Sequence, residues 1–467
     1  MMPPKETRCA EGRGGLEGDP RKRAEGRTQS RKPLPAKLAW VNEAARRDKS
    51  TRFTALMHHV AVSALERAFR RLKRSAAPGV DGETVASYEQ NLAQNLSQLN
   101  ARVQSGCYRP QPVRRVYIPK AAGGLRPIGI PALEDKIVQS AVAEVLSAVY
   151  EADFLGFSYG FRPGRSPHQA LGALDTALMT QSVKWVLDAD IRSFFDSVDH
   201  ELLVRMVARR IADSRVLRLI RLWLKAGVME QGKWSETVEG VPQGAGASQL
   251  LANVFLHYAL DLWVHWWRRR FAHGRVVIVR YCDDFVMGFQ DEADGQRMLA
   301  DLRARLNELK LELHPDKTRL IEFGKWPSKL RRARGQRRCV TFNFLGFTHY
   351  CAWSRKGYFA IRRLTDRRRL VRKLKELRLK ARRGMHAPVA VQHRWLCRVL
   401  VGHYAYYGLP GNWRKLASFR CQVERIWYRV LARRSQRRSN WGRYVRLLER
   451  FSLSQPRLVA APVVVAG

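Results

Sequence analysis

The stretch that decides the fold is Val279-Arg280-Tyr281-Cys282-Asp283-Asp284-Phe285-Val286-Met287. Two adjacent aspartates separate two short apolar runs of β-forming residues, which predicts two strands joined at a tight turn that carries both carboxylates. Adjacent acids repel each other, and their burial is costly unless a cation is present. This stretch by itself leaves two readings equally open, a metal-binding turn and an ordinary solvated Asp-Asp turn, because Asp is common in turns.

A second acidic run shifts the balance toward a metal site. Residues 185–196, WVLDADIRSFFD, place aspartates where a short apolar strand ends. Phosphoryl transfer to a 3′-hydroxyl uses two divalent ions about 3.5–4 Å apart, and one carboxylate from each of two adjacent strands can bridge such a pair. Mg²⁺ suits oxygen ligands combined with substrate phosphates. Of the other acids nearby, we expect Asp188 to be structural or exposed and Asp199 to cap a helix.

The composition points to a polyanionic partner. The chain has 467 residues with 85 Lys and Arg against 41 Asp and Glu, a formal net charge of +44. A surplus of that size is costly in self-repulsion and is typical of nucleic-acid binding. The seven cysteines never form a CxxC pair, which favours a reducing compartment and argues against structural zinc. No apolar run reaches the roughly 18 residues of a membrane helix, so we expect a cytoplasmic protein without a membrane partner.

The chain divides by composition into four parts. Residues 1–35 are polar and rich in Gly, Pro, Arg and Glu, which predicts a disordered basic arm. Residues 36–350 alternate strand and helix patterns and predict an α+β body. Residues 351–458 are basic and helical; residues 362–383 alone hold 12 basic and 2 acidic residues. Residues 459–467 form an apolar tail.

Within the α+β body the patterns predict individual elements. The expected strands are residues 113–119 and 125–130, joined as a hairpin, then 183–191, two strands within 276–289, and a pair at 342–350 and 358–361. The expected helices are residues 38–74, 88–102, 133–150, a face around 202–211, 249–267 and 293–309.

Seven ordered blocks and one segment downstream of them resemble group II intron reverse transcriptase–maturases. The two acidic runs resemble motifs A and C, and residues 240–253, GVPQGAGASQLLAN, resemble motif B. The remaining blocks are residues 117–131, which resemble the fingers hairpin, 157–166, 313–318 (motif D), 342–347 (motif E) and 402–408 (part of the thumb or maturase domain). Two residues depart from the family pattern: Cys282 replaces the Ala of YADD, and Gln249 replaces the Pro of motif B.

The resemblance implies a right-hand polymerase, with fingers and a palm built on an antiparallel sheet, followed by an all-α thumb or maturase domain. It implies that Asp190 and Asp283 bridge two Mg²⁺ ions, with Asp284 a less direct ligand and the Ile191 carbonyl a further oxygen. Residues expected to bind the incoming nucleotide are Lys120, Arg126, Phe195, Gln243, Gly244 and Lys317. Phe195 would exclude a 2′-hydroxyl, and Lys317 is a candidate proton donor to pyrophosphate. Residues expected to bind RNA are Arg367, Arg368, Arg369, Arg372 and Lys373.

The implied partners are group II intron RNA, an RNA template with a DNA primer, deoxynucleotides and target DNA, in a bacterial cytoplasm. The implied work is RNA-directed DNA synthesis, help with intron splicing, and copying of the intron during retrohoming. Two alternatives remain: a reverse transcriptase without maturase work, of retron, diversity-generating or defence type, and a basic RNA-binding protein with a decayed site. Because the residues after Trp441 contain no His or Cys, we expect no second-strand nuclease. His386, His393 and His403 are spaced too widely for a metal site, so we expect them to be solvated or to cap helices. Core packing and stacking on unpaired bases are equally open for the aromatic residues Tyr404, Tyr406, Tyr407, Trp413, Trp427 and Trp441.

Overall fold

A computed structural model describes residues 35, 38–119, 124–230, 232–237, 239–241, 246–336, 339–434 and 440–459. Lys120, Gln243 and Gly244 lie outside these residues, as do the predicted basic arm up to residue 34 and the tail from residue 460. The backbone of Arg126 is described, but its side chain is not.

The described residues form sixteen α-helices and eleven strands. The strands are β1 (Val113–Pro119), β2 (Leu125–Ile130), β3 (Trp185–Asp190), β4 (Val228–Glu230), β5 (Lys233–Ser235), β6 (Val276–Tyr281), β7 (Asp284–Phe289), β8 (Arg319–Glu322), β9 (Phe342–Phe344), β10 (Phe347–Trp353) and β11 (Phe359–Thr365). The helices are α1 (Ala39–Arg47), α2 (Val62–Arg70), α3 (Val85–Glu89), α4 (Leu92–Ser105), α5 (Leu133–Tyr150), α6 (Pro167–Thr180), α7 (His200–Ala208), α8 (Ser214–Leu224), α9 (Ser248–Leu256), α10 (Leu262–Arg270), α11 (Glu292–Glu308), α12 (Lys325–Ala333), α13 (Arg367–Arg383), α14 (Val389–Tyr407), α15 (Trp413–Ala432) and α16 (Trp441–Arg450).

Three sheets organise these strands. The central sheet has the order β6-β7-β3-β8, and every neighbouring pair in it is antiparallel. A second sheet, β2-β1-β4-β5, contains the predicted β1–β2 hairpin. A third, β11-β10-β9, leads into the C-terminal helices. The central sheet is therefore the element that brings the two acidic runs together.

The helices around the central sheet bury their apolar faces in the core. On α5 most side chains are buried on all sides, so this helix runs through the core. On α11 the buried residues Met298, Leu302 and Leu306 recur at helical spacing and face the sheet. Each such fully buried side chain contributes about 1.5–3 kcal/mol relative to an exposed one. The predicted helices at 133–150 and 293–309 and the hairpin at 276–289 are confirmed.

Several predicted elements are wrong in detail. The stretch 342–350 is two strands, β9 and β10, because Leu345 and Gly346 adopt left-handed backbone angles (φ 48° and 81°) and reverse the chain. The stretch 38–74 is α1, a 3₁₀ turn and α2. The stretch 88–102 is parts of α3 and α4. The stretch 249–267 spans α9 and α10, which are separated by a π-turn at His257–Asp261.

From Arg367 onward, the described residues form four helices, α13 to α16, and the segment after Arg450 is not helical. Its core forms where Leu370, Leu374 and Leu377 of α13 pack with residues of α14 and α15. The predicted domain boundary at residue 350 falls inside β10, because that strand pairs with β9 on one side and β11 on the other. Among the helices of the described residues, none combines the length and the apolar character that a membrane crossing requires.

Candidate active site

The Asp-Asp hairpin, β6 and β7 with their connecting turn, is as tight as the sequence predicts. Tyr281 pairs with Asp284, so only Cys282 and Asp283 form the turn. Cys282 has φ 59°, a left-handed angle that costs a residue other than glycine roughly 1–2 kcal/mol. Its side chain is buried at 2% exposure. The turn is thus held in a strained form by packing, and the small Cys side chain fits there.

The second acidic run ends beside this turn. Strand β3 pairs with β7 in a register that sets Asp190 opposite Asp284. Asp188 is two residues earlier on β3 and so faces the same side of the sheet. The register therefore gathers aspartates from two neighbouring strands and their turn at one end of the central sheet.

The pKa values of two of these aspartates are raised by burial and by the nearby carboxylates. Burial, together with the negative charges of Asp283, Asp188 and Asp190, raises the pKa of Asp284 to about 7. Burial also raises the pKa of Asp188 to about 6, although Arg319, its partner across β3 and β8, opposes the rise at 3.5 Å. Carboxylates crowded in this way favour either protonation or a bound cation.

Lys317 supplies one cation to the cluster. Its ammonium contacts the Asp190 carboxylate, yet 57% of the side chain is exposed. The segment before it is fixed by an isolated bridge between Ile191 and Leu313, in which the amide of His314 donates to the Asp190 carbonyl at 2.7 Å. The Arg192 amide donates to the Glu312 carbonyl at 2.8 Å. Neither bond uses the Ile191 carbonyl.

The donor set suits a hard cation bound together with substrate. Carboxylate oxygens are what Mg²⁺ prefers, and protein sites for it commonly use one or two carboxylates plus phosphates. Within the described part of the chain, no group of three or more His, Cys, Asp or Glu side chains could hold a metal ion. The aspartates of the central sheet thus offer the oxygen donors that suit Mg²⁺.

A cleft of about 370 Å³ opens at Phe195, five residues after Asp190 in the sequence. It is lined by Phe195, by Gly240 and Val241 at the start of the motif B block, and by Arg115 and Pro127 of the β1–β2 hairpin. The Phe195 ring is 8% exposed. Its backbone carbonyl accepts from the Val241 amide at 2.7 Å. The structure thus brings Phe195 next to the segment that carries the predicted nucleotide-binding residues.

Of two nearby residues, sequence reasoning missed one and left the role of the other open. Arg319 faces Asp188 across the sheet, and only the strand register reveals it. Tyr406 donates its hydroxyl to the Leu345 carbonyl at 2.8 Å and so ties the β9–β10 turn to α14. The sequence did mark Tyr406, but without choosing between core packing and nucleic-acid stacking. Asp199 accepts from the Leu202 amide at 2.8 Å, which confirms that it caps α7.

The predicted RNA-binding residues share the first turns of α13. Arg367, Arg368, Arg369 and Lys373 are exposed, and Arg372 is 3.7 Å from Glu376. A cleft of about 540 Å³ between α13 and α14 is lined by three of these cations together with Arg398 and Tyr407.

The aromatics and histidines of the C-terminal helices have mixed roles. Trp427 and Tyr404 are buried, whereas Trp413 and Trp441 are each 49% exposed. The expectation of a solvated or capping role for His403 is wrong, because its ring is buried against Phe419.

Comparison with known proteins gives consistent matches. Residues 118–349 match the family model described as reverse transcriptase (RNA-dependent DNA polymerase). Protein YkfC of Escherichia coli K12 is 37% identical over 279 residues, covering 53% of this chain and 73% of that protein. The group II intron-encoded protein LtrA of Lactococcus lactis is 37% identical over 186 residues, covering 40% of this chain but 30% of LtrA. Nuclear intron maturase 1, a mitochondrial protein of Arabidopsis thaliana, is 30% identical over 95 residues. The match covers 20% of this chain and 13% of that protein.

Proposed function

The chain belongs to the family of group II intron-encoded reverse transcriptases, which are RNA-directed DNA polymerases, and we propose that its active site is the aspartate cluster of the central sheet. The observation that carries this proposal is the register of β3 and β7, which pairs Asp190 with Asp284 beside the turn residue Asp283. Enzymes of this family act on RNA and other nucleic-acid substrates, and they generally use divalent metal ions.

In the proposed site, Asp190 and Asp283 would hold two Mg²⁺ ions, and the Ile191 carbonyl would add an oxygen. Asp284, opposite Asp190 in the β3–β7 register, would be a nearby, less direct ligand. Such an ion pair stabilises the attacking and leaving oxygens of an in-line displacement. Lys317, which contacts Asp190, is the candidate proton donor to the leaving pyrophosphate.

The incoming nucleotide occupies the cleft beside Phe195. Lys120 and Arg126 of the β1–β2 hairpin bind its triphosphate through charge-assisted hydrogen bonds. By their resemblance to motif B, Gln243 and Gly244 are proposed to contact the base pair and sugar, and glycine permits a close backbone approach. Phe195 closes the space that a 2′-hydroxyl would need.

We assign the chain the right-hand arrangement of a polymerase. The β2-β1-β4-β5 sheet and the helices before it form the fingers, and the central sheet with α5, α9 and α11 forms the palm. The thumb begins in the third sheet and continues as α13 to α16. Its position next to the β9–β10 turn, through the Tyr406 hydroxyl, suits a role in holding a primer strand.

The chain also binds group II intron RNA, assists its splicing and copies it into target DNA. The exposed cations of α13 and the net charge of +44 support this part of the proposal. RNA that folds brings phosphates together, and cationic protein surface offsets their repulsion. A polymerase without splicing work is the second candidate, favoured by the longer match to YkfC, whose name states no splicing role.

Primer extension on an RNA template with Mg²⁺ tests the polymerase site. Asp190→Ala and Asp283→Ala should each abolish synthesis, since a bridging carboxylate cannot be replaced by its neighbours. Glu308→Ala removes an acid that is 65% exposed on α11 and should leave synthesis unchanged. Extension by either aspartate variant at nearly the wild-type rate would refute the site.

Splicing separates the two candidates. The Asp283→Ala protein keeps its RNA-binding surface and should still promote splicing of its intron RNA in vitro. If wild-type protein extends primers but neither binds nor splices that RNA, the polymerase-only candidate is correct.

A further inference from the structure

A buried arginine, Arg280, forms a hydrogen bond to the turn of the Asp-Asp hairpin. Its side chain is fully buried, with 0% exposure, and it occupies the position of β6 just before Tyr281. The guanidinium donates through Nη1 to the carbonyl oxygen of Cys282 at 3.0 Å. Cys282 is the turn residue with the left-handed backbone angle, so this bond holds the strained peptide that precedes Asp283.

The same guanidinium reaches helices that follow the motif B block. It forms two bonds to the buried Asp261, Nε to Oδ1 at 2.7 Å and Nη2 to Oδ2 at 2.5 Å. It also donates to the Asn253 side-chain oxygen at 3.0 Å. Asn253 lies on α9, and Asp261 ends the π-turn that follows it. A π-turn inside a helix is frequently found at a functional site.

A third segment closes the network. Ser158 accepts from Nη2 of Arg280 at 2.7 Å, and the Asn253 amide donates to the Gly160 carbonyl at 2.6 Å. Gly160 lies directly against the hairpin turn, where a Cβ atom would overlap the backbone nitrogen of Cys282. The turn is therefore enclosed by two segments distant from it in sequence, residues 158–160 and 253–261, and Arg280 bonds to both.

Stability by itself does not account for this arrangement. A buried ion pair contributes little to stability compared with apolar residues of the same volume, because desolvation offsets the attraction. An apolar side chain, however, has no donor for the Cys282 carbonyl. Making the bond to the turn together with the two bonds to Asp261 is thus what requires the forked guanidinium.

We propose that Arg280 is a positioning residue of the polymerase: it fixes the Asp283 turn relative to α9, the helix that begins directly after the nucleotide-binding segment. The proposal rests on the function proposed above. It assigns to Arg280 the alignment of the metal-binding carboxylates with the incoming nucleotide, without contact to either. A displacement of the turn by about 1 Å is enough to reduce a catalytic rate by about 100-fold.

Arg280→Lys tests the proposal, because lysine keeps the charge and loses the forked geometry. The matched control is Arg210→Lys, since Arg210 is also buried, pairs with Asp153 at 3.0 Å and bonds to three backbone carbonyls remote from the aspartates. Both variants should lower Tm by roughly 5–15 °C. Below these temperatures, Arg280→Lys should reduce kcat about 10- to 100-fold, with KM for deoxynucleotide changed less than about threefold. Arg210→Lys should keep the wild-type kcat.

A double variant, Arg280→Met with Asp261→Leu, separates positioning from stability. Because both buried charges are removed, the double variant should have a Tm much closer to wild type than Arg280→Met alone. Its kcat should stay low, because the Cys282 carbonyl still has no donor. Recovery of kcat together with Tm would overturn the proposal.

Titration with Mn²⁺, followed by electron paramagnetic resonance, gives a readout that does not depend on polymerisation. Arg280→Lys should weaken Mn²⁺ binding at the aspartates by at least about tenfold, and Arg210→Lys should not. If the wild-type chain extends no primer, the proposed function fails, and the Mn²⁺ titration still decides the role of Arg280. Unchanged Mn²⁺ affinity in Arg280→Lys would refute that role.

Discussion

Replacing Asp284 with Asn should stabilise the metal-free protein, and the gain should depend on pH. Burial and three neighbouring carboxylates raise the pKa of Asp284 from 3.8 to about 7. The difference corresponds to about 4 kcal/mol between the two protonation states. Asn is close in shape to a protonated Asp and carries no charge, so it removes the repulsion while keeping the packing.

The sign of the effect follows from proton linkage. A group whose pKa is raised by folding stabilises the folded state below its unfolded pKa, and that contribution is lost as the pH rises through the folded value. Wild-type protein should therefore lose up to about 4 kcal/mol from this group between pH 4 and pH 8. Asp284→Asn lacks this loss, so its advantage should be near zero at pH 4 and largest at pH 8.

Urea unfolding in EDTA at several pH values measures the difference, and repetition with Mg²⁺ should reduce it, because a bound cation favours the ionised carboxylate. Asp175→Asn serves as the control: burial raises the pKa of Asp175 too, against the opposing charge of Arg363, but this pair lies away from the cluster. Its pH response should be insensitive to Mg²⁺. Equal pH dependence of stability in wild type and Asp284→Asn would show that the carboxylates are not crowded as described.

Two further outcomes are expected. Phe195→Val should raise incorporation of ribonucleotides relative to deoxynucleotides by at least about tenfold, because the ring no longer closes the cleft. The measurement is the ratio of the kcat/KM values for the two nucleotides. If activity is retained and this ratio is unchanged, Phe195 has only a packing role. Replacing exposed cations of α13 by Gln should weaken RNA binding and reduce the slope of log K against log salt by about 0.7–0.9 for each phosphate that the protein no longer neutralises, and an unchanged slope would place the RNA surface elsewhere. The residues to replace are Arg367, Arg368, Arg369, Arg372 and Lys373.

The sequence predicted the Asp-Asp hairpin well because local patterns determine it. Two apolar runs flank a pair of turn-forming acids, and β6 and β7 follow those runs closely. The β9–β10 turn was missed for the opposite reason. Residues 342–347 are almost uniformly apolar, and nothing in that run signals that Leu345 would adopt a left-handed angle. Packing against Tyr406 and α13 fixes this turn, and such packing is invisible to local pattern.

The site was predicted in part. Two acidic runs were enough to propose that aspartates from adjacent strands meet, but the register that pairs Asp190 with Asp284 depends on contacts along the whole of β3 and β7. The partner of Asp188 could not be predicted, because Arg319 lies more than a hundred residues away and β8 had no strand signal of its own. The π-turn before α10 was hidden as well, since one extra residue in a helical turn leaves the apolar pattern nearly intact.

The cationic side chains near the aspartates differ in solvent exposure, and therefore in how easily each can move away from its carboxylate. Lys317 and Arg319 lie at the open side, with 57% and 44% of their side chains exposed, and exposed ion pairs contribute little to stability. Arg280 is fully buried and held by two carboxylate bonds, so it cannot exchange with an ion. From this difference we infer that Lys317 and Arg280 have different roles. On the proposed function, the exposed Lys317 would give way to a cation at Asp190, and the buried Arg280 would keep the Asp283 turn in one position in either case.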